Sequence, residues 1–246
     1  MDEASRKTNS RIVLALDLPP DKPEKVLTKA KTILEETHAY VCAVKLNHHL
    51  TLPLGLFHNV QDLLALARQY KLPTIMDCKI NDIGDTNRII AEYYFKAGFD
   101  AVIANPFVGW EEGLQPVLET AREMNRGVIL LVYMSHKGAP EGYGQQILTE
   151  ETGQPVFQYE AFAKKALQWN ADGVVVGATY PERIKKVYSI LEDTVPIYSP
   201  GIGAQGGGID EAVKNGAKYL IVGRTITLAG NPGRIAESLR STIQRS

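Results

Sequence analysis

Short, nearly continuous runs of apolar residues recur along the chain, and amphipathic stretches separate them. Runs of this kind are typical of parallel strands that are covered on both faces. Eight of them are present, at residues 12–16, 41–46, 74–79, 101–104, 128–133, 173–177, 196–199 and 219–222. The pattern therefore predicts eight parallel strands.

The stretches between the strands have the apolar spacing of helices that pack one face on a core. The clearest cover residues 23–36, 86–97, 111–125, 156–169, 181–191 and 230–242. Strand and helix alternate eight times in a chain of 246 residues. This number of repeats and this length are typical of a (β/α)₈ TIM barrel. An α/β chain of this length could also form a doubly wound open sheet, which is the second choice.

The chain reads as one barrel domain, residues 1–246, because no linker, composition shift or visible sequence repeat divides it. Residues 1–10 are polar and lack the apolar core of a signal peptide, so we expect a frayed tail. Two glycine-bearing connections, 134–155 and 201–208, follow strands. In a barrel they lie on the face where active sites form, and the longer one is a candidate lid.

The composition and charge of the chain argue against several classes of function. The chain is 44% hydrophobic and 22% charged with a net charge of -1, and it has no dense block of basic residues. These values disfavour nucleic acid as a partner. No apolar run approaches the ~18 residues of a membrane span. Two cysteines are too few for a disulfide framework or a metal centre, so we expect a cytoplasmic protein without bound metal.

Several predicted strands end in a polar or charged residue that a purely structural barrel does not need. These residues are Asp17, Lys45, the Asp77 and Lys79 pair, Ser135 and Ser199. Any one of them alone is more simply a solvated strand end. Together they predict a ring of polar groups at one mouth of the barrel, where opposite charges pair.

The third strand carries the strongest signal. Side chains alternate along a strand, so Asp77 and Lys79 point to the same side, and Asp82 follows three residues later. With Lys45 from the adjacent second strand they would form an alternating array of cations and anions. Fixed charges of this kind can stabilise charge that develops in a transition state. A structural ion-pair network is the alternative.

A second group points to phosphate. Five glycines occur in residues 201–208 after the seventh strand, and Gly223 and Arg224 follow the eighth. Barrels often bind phosphate at these two loops, through backbone N–H groups and a bidentate arginine. The alternative is a flexible glycine linker beside a surface arginine. A small phosphorylated substrate is therefore the predicted ligand.

These motifs resemble one family, the orotidine 5′-monophosphate (OMP) decarboxylases, especially the archaeal type. The family pattern D-x-K-x-x-D-I corresponds to residues 77–83 and is followed by Thr86 and Asn87. Further matches are A-L-D at 15–17, V-K at 44–45, M-S-H at 134–136, P-G-x-G-A-Q-G-G at 200–207 and G-R at 223–224. The sequence departs from the common pattern at Lys137 and in the lid tip, 139–146.

The resemblance implies a role for each matching residue. Lys79 would protonate C6 of the pyrimidine after CO₂ leaves, and Asp77 would lie against the departing carboxylate. Asp82 and Thr86 would come from the partner subunit of a homodimer with shared active sites. The remaining roles are Lys45 and Asp17 at the ribose, Ser135 at the pyrimidine amide, and Pro200, Gly203, Gln205, Gly223 and Arg224 in the loops that hold the 5′-phosphate.

The resemblance also implies cofactor-free conversion of OMP to uridine 5′-monophosphate (UMP) in pyrimidine biosynthesis. One rival is the related Mg²⁺-dependent hexulose-phosphate group, which shares D-x-K-x-x-D. That group carries a metal-binding Glu near the position of Lys45, where a cation would repel Mg²⁺. The other rival is a barrel that binds a phosphorylated ligand without catalysis.

Overall fold

The computed structural model describes residues 1–148 and 153–245, and its centre is a closed barrel of eight parallel strands. The barrel strands are β1 (Ile12–Ala15), β2 (Ala43–Asn47), β3 (Thr74–Ile80), β4 (Ala101–Ala104), β5 (Gly127–Tyr133), β8 (Gly173–Val176), β9 (Ile197–Pro200) and β10 (Ala217–Val222). Strands β1 and β10 pair in parallel and close the ring. The predicted (β/α)₈ fold is confirmed.

Helices lie between consecutive barrel strands and after the last one. They are α2 (Pro23–Thr37), α3 (His48–Leu54), α4 (Val60–Gln69), α5 (Gly84–Ala97), α6 (Gln115–Glu123), α8 (Gln158–Gln168), α9 (Pro181–Leu191), α10 (Ile209–Lys214), α11 (Arg224–Thr227) and α12 (Pro232–Ile243). Short π-type turns, Gly55–Asn59 and Trp110–Leu114, precede α4 and α6. The helices predicted most clearly did not include α3, α4, α10 or α11. At α3 and α4, Pro53 and Gly55 interrupt the helical period.

The first ten residues differ from the expected frayed tail. Residues Asp2–Thr8 form helix α1, with acidic side chains in its first turn and basic ones in its last, an order that complements the helix dipole. Ala4 is buried, and Asp2 accepts a hydrogen bond from Tyr219 and pairs with Lys218 at 2.9 Å. Contacts with β10, which local polarity does not reveal, therefore fix this segment.

The core has two layers. The inner layer fills the barrel with inward side chains of alternate strand positions, among them Val13, Ile75, Ile129, Tyr198 and Tyr219. The outer layer is larger and packs the helices against the outward side chains of the strands. The carboxyl ends of the strands form one mouth of the barrel, and the other mouth adjoins the start of α1. No helix in residues 1–148 or 153–245 combines the length and apolar composition of a membrane span.

The long connection after β5 has its own secondary structure. It contains the short helix α7 (Ala139–Gly142) and strand β6 (Gln146–Leu148), which pairs antiparallel with β7 (Pro155–Phe157). The base of the connection is tied down, because the Tyr180 hydroxyl donates to the His136 carbonyl and the Thr179 hydroxyl donates to the Ser135 carbonyl. Residues 149–152 of the candidate lid lie outside the described residues.

Candidate active site

A row of alternating charges crosses the open end of the barrel. Lys45 Nζ donates to Asp77 Oδ2 at 2.7 Å, and Lys79 Nζ donates to Asp77 Oδ1 at 2.6 Å. Lys45 Nζ also lies 3.6 Å from Asp17 Oδ1. Strands β2 and β3 pair with Lys45 opposite Ile75 and Asn47 opposite Asp77, so a shift of one residue would turn these groups out of the barrel.

Burial and pairing act against each other in this row. Burial favours the neutral form of Lys45, but the Asp77 and Asp17 carboxylates outweigh it and raise the Lys45 pKa above its ordinary value. Burial likewise favours protonated Asp77, but the Lys45 and Lys79 ammonium groups outweigh it and lower the Asp77 pKa. Both groups are therefore charged at neutral pH. The side chain of Lys45 is 5% exposed and that of Lys79 is 39% exposed, so Lys79 is the accessible cation.

The backbone at Lys79 adopts a conformation that L-residues rarely take. Its φ is 50°, and the pairing of β3 with β4 is irregular between Met76 and Ile80. A left-handed, non-glycine residue costs about 1–3 kcal/mol and persists where its surroundings hold it. The bulge keeps Asp77 and Lys79 on the inner side, with their charged ends 2.6 Å apart.

Asp17 follows β1 and lies beside two other groups at the barrel mouth. Asn47 Nδ2 donates to Asp17 Oδ1 at 2.7 Å. A Cβ at Gly223 would lie 3.3 Å from Asp17 Oδ2, so the β10 end passes close to the carboxylate. Asn47 was not among the residues singled out from the sequence. It ends the same strand as Lys45 and lies two positions after it, so its side chain points to the same side of the strand.

The predicted phosphate loop forms a compact turn after β9. Gly203 N donates to the Gly207 carbonyl at 3.0 Å, and Gly207 N donates to the Gly201 carbonyl at 3.0 Å. Gly201 and Gly203 have φ values of 94° and 70°, which glycine adopts at little cost. The Gly203 N–H is thus used within the loop, and Gly203 does not line the cavity.

Arg224, from the loop after β10, and Gln205, from the loop after β9, both line the cavity. Arg224 begins α11 and is exposed. Within residues 1–148 and 153–245 its guanidinium has neither a hydrogen-bond partner nor an ion-pair partner. An exposed arginine beside a glycine turn can grip an anion with two parallel hydrogen bonds.

Ser135 and Pro200 also line the cavity. The expectation for Ser199 is wrong, because its side chain is fully buried outside the barrel and does not line the cavity. Strand β9 ends one residue later than predicted, and its alternation turns Tyr198 and Pro200 inward.

Asp82 and Thr86 lie outside this cavity. Both are exposed, Asp82 before α5 and Thr86 in its first turn. The buried Asn87 holds the Asp82 loop, because Asn87 Oδ1 accepts from Asp82 N and Asn87 Nδ2 donates to the Asp82 and Gly113 carbonyls. The Asp82 carboxylate accepts the Ile83 N–H at 2.7 Å.

The cavity encloses about 240 Å³. The Asp77 and Lys79 pair lines it from β3, and the glycine turn lines it from β9, which lies opposite β3 in the ring of strands, with Arg224 after the neighbouring β10. Apolar side chains, including Ile103, Leu131 and Val175, also line the cavity. Within the part of the chain that the structure describes, no three His, Cys, Asp or Glu side chains are grouped to hold a metal ion. The fold and site define an α/β-barrel with a cavity at its mouth, lined by a row of paired charges and by a glycine turn beside an exposed arginine.

Comparisons with known proteins agree with this class. The chain matches the model of the orotidine 5′-phosphate decarboxylase / HUMPS family over residues 10–239. The chain belongs to this family. Orotidine 5′-phosphate decarboxylase of Methanosarcina acetivorans is 38% identical over 236 residues, which cover 96% of each chain. The Thermococcus kodakarensis enzyme is 37% identical over 95% of this chain and 97% of its own.

Solved structures of similar proteins have the same fold. Orotidine 5′-phosphate decarboxylase from Pyrococcus horikoshii has a TM-score of 0.75 and 34% identity, covering 95% of this chain and 99% of its own. The Methanocaldococcus jannaschii enzyme, solved with the inhibitor BMP, has a TM-score of 0.78 and 28% identity, covering 95% of this chain and 98% of its own.

Proposed function

We propose that this protein decarboxylates OMP to UMP in de novo pyrimidine biosynthesis, without a cofactor. The observation that carries the proposal is the presence of two kinds of group on opposite sides of one cavity. A paired carboxylate and ammonium, Asp77 and Lys79, come from β3, and the glycine turn follows β9 on the opposite side of the barrel, with Arg224 after the neighbouring β10. A nucleotide with a carboxylate on its base and a phosphate on its ribose has this charge distribution.

Lys79 is the proposed proton donor. Loss of CO₂ from C6 leaves a carbanion whose electron pair lies in the ring plane, where π delocalisation does not reach it. A fixed ammonium stabilises that charge and then supplies the proton to C6, so the C–C bond pair becomes the new C–H bond. The strained backbone at Lys79 supports this role, because it fixes the direction from which the ammonium approaches.

Asp77 and Lys45 hold the charged row in place. Asp77 accepts from both lysines, so its carboxylate fixes the Lys79 ammonium and lies beside the position of the substrate carboxylate. Lys45 is almost fully buried behind it and balances the added negative charge. Lys45 and Asp17 together contact the ribose in this proposal.

The other lining residues bind the rest of the nucleotide. Ser135 reads the amide edge of the pyrimidine, and its position is set by the bond from Thr179 to its carbonyl. Gln205, Arg224 and the Gly223 backbone hold the phosphate, while Pro200 and Gly203 shape the turn. The phosphate lies far from the reacting carbon, so binding it contributes through closure and positioning.

We further propose a homodimer in the cytoplasm, with Asp82 and Thr86 completing the partner's site. Thr86, Ile89 and Tyr93 follow one face of α5, because residues three and four apart are neighbours on a helix. Ile89 and Tyr93 are exposed, as are Ile83 before the helix and Phe57, whose ring contacts Tyr93 edge to face. Burying this apolar face against a second copy would carry Asp82 and Thr86 toward another cavity.

The metal-dependent hexulose-phosphate chemistry is the second candidate, because the family name includes that branch. Lys45 argues against this metal-dependent candidate. Its raised pKa keeps an ammonium at the end of β2, and this positive charge would repel Mg²⁺. A strict Mg²⁺ requirement for decarboxylation would contradict the proposal.

The direct test follows the orotate absorbance of OMP with purified protein in EDTA. We expect the absorbance to fall and UMP and CO₂ to form in equal amounts. No turnover of OMP would leave the alternative of a barrel that binds phosphorylated ligands without catalysis.

A further inference from the structure

The side chain of Asn47, at the end of β2, accepts one hydrogen bond and donates another. Its side-chain Oδ1 accepts the backbone N–H of His49 at 2.8 Å and thereby caps the N-terminus of α3. Its Nδ2 donates to Asp17 Oδ1 at 2.7 Å. One amide therefore joins the start of a helix to a carboxylate of the site.

The helix fixes which way the amide faces. A backbone N–H can only donate, so the oxygen of Asn47 must point to His49 and its NH₂ group must point to Asp17. Asp17 itself lies in the connection after β1, outside any helix or strand. Its other polar contact with a described side chain is Lys45 Nζ, at 3.6 Å. The bond from Asn47 is thus the shorter restraint on this carboxylate.

We infer that Asn47 is a positioning residue that orients Asp17 for the ribose of the substrate, an inference that rests on the proposed function. Asn47 holds Oδ1 of Asp17, and Oδ2 remains on the side of Gly223, toward the phosphate loop. A ribose between the charged row and the phosphate end would donate a hydroxyl to this carboxylate. The amide restrains it before the substrate arrives, which lowers the ordering cost of binding.

The Asn47→Asp variant separates this role from the capping role. Aspartate is as good an N-cap as asparagine, so α3 keeps its cap. The donor to Asp17 is lost, and a second carboxylate repels the first. We expect kcat/KM for OMP to fall about 10- to 100-fold, mainly through KM, and the affinity for UMP to fall by a similar factor.

Asn105 provides a matched control. It directly follows β4 and its side chain accepts the backbone N–H of Phe107, in a short 3₁₀ helix, at 3.1 Å, but it does not line the cavity. Asn105→Asp should therefore leave KM and UMP affinity within about twofold of the wild type. Equal losses in the two variants would overturn the inference, because they would reflect strand-end disturbance alone.

A double-mutant cycle shows whether Asn47 acts through Asp17. We expect Asn47→Asp to have little further effect on UMP affinity when Asp17 is already Ala, and fully additive losses would overturn the inference. Crystal structures give a result that does not depend on catalysis. We expect the Asp17 carboxylate to rotate away in Asn47→Asp, and an unmoved carboxylate would overturn the inference even if wild-type protein decarboxylates OMP. Lack of wild-type turnover would instead contradict the proposed function.

Discussion

Lys79 donates a 2.6 Å hydrogen bond to Asp77, the residue two positions before it on the same strand. Adjacent inward side chains of a regular strand point in parallel, and the irregular backbone at Lys79 turns its ammonium back onto the carboxylate. The hydrogen bond to Asp77 and the backbone conformation at Lys79 thus fix the ammonium of the proposed proton donor at this point of the barrel.

Replacing Lys79 by Ala should reduce kcat by at least about 10³-fold, because both the electrostatic stabilisation and the proton are lost. Steady-state decarboxylation of OMP measures the effect. Lys218→Ala is the matched control, since Lys218 is also a strand lysine paired with an aspartate, Asp2, but at the opposite end of the barrel. Wild-type turnover by Lys79→Ala would contradict the mechanism.

Asp77 predicts a specific dependence of stability on pH. Its folded pKa lies below the unfolded value of about 3.9, so its contribution is complete above that value and is lost as pH falls through the folded pKa. Asp77→Asn leaves the buried Lys45 beside Lys79 and should cost roughly 3 kcal/mol of unfolding free energy at neutral pH.

The difference in unfolding free energy between wild type and Asp77→Asn should shrink as pH falls below about 4. Urea unfolding between about pH 5 and pH 3 measures it. Asp21→Asn, at an exposed surface site, should show a small difference throughout. A difference for Asp77→Asn that is independent of pH would contradict the predicted pKa shift.

The sequence predicted those parts of the fold and of the candidate site that follow from local periodicity. The apolar runs located all eight barrel strands, and the alternation around Asp77 placed it and Lys79 inside. Ser199 was misplaced because one residue of error at the end of β9 reverses the direction of a side chain. Asn47 and Asn87 were missed as structural residues because their partners, Asp17 and Gly113, are distant in sequence.

Helix α1 illustrates the same limit. Its residues are polar, and its contacts with Tyr219 and Lys218 are more than 200 positions away in the chain. The residues next to α1 in the sequence give no indication of such distant contacts. The family motifs at 77–83 and 200–207, by contrast, identify the site residues directly, without any need to predict their distant contacts. The candidate site was therefore more predictable than the packing of the N-terminus.

The proposed shared site can be tested by subunit mixing. Lys79→Ala and Asp82→Asn should each be inactive alone, but a heterodimer of the two contains one site with both residues intact. Random exchange should restore about a quarter of wild-type activity, since half of the dimers are mixed and each has one working site. No recovery after exchange is verified by mass spectrometry of the dimers would contradict the shared site.

Ile89 on the exposed face of α5 tests the proposed interface itself. An Ile89→Asp substitution should convert the dimer to monomer, because burying an unpaired carboxylate is costly, and activity should fall with the dimer. Light scattering after gel filtration measures the mass. Leu228→Asp is the control, since Leu228 is another exposed apolar residue away from this face. A dimeric and fully active Ile89→Asp variant would contradict the proposed interface.

Arg224 tests the distant phosphate anchor. Arg224→Ala should raise KM for OMP about 100-fold and reduce kcat less, because a charge-assisted pair with phosphate is lost far from the reacting carbon. Orotidine lacks the phosphate, so its slower turnover should be equal in wild type and variant. Arg234→Ala, at an exposed position outside the cavity, should match the wild type with both substrates. An equal loss with OMP and orotidine would show that Arg224 stabilises the loop rather than the phosphate.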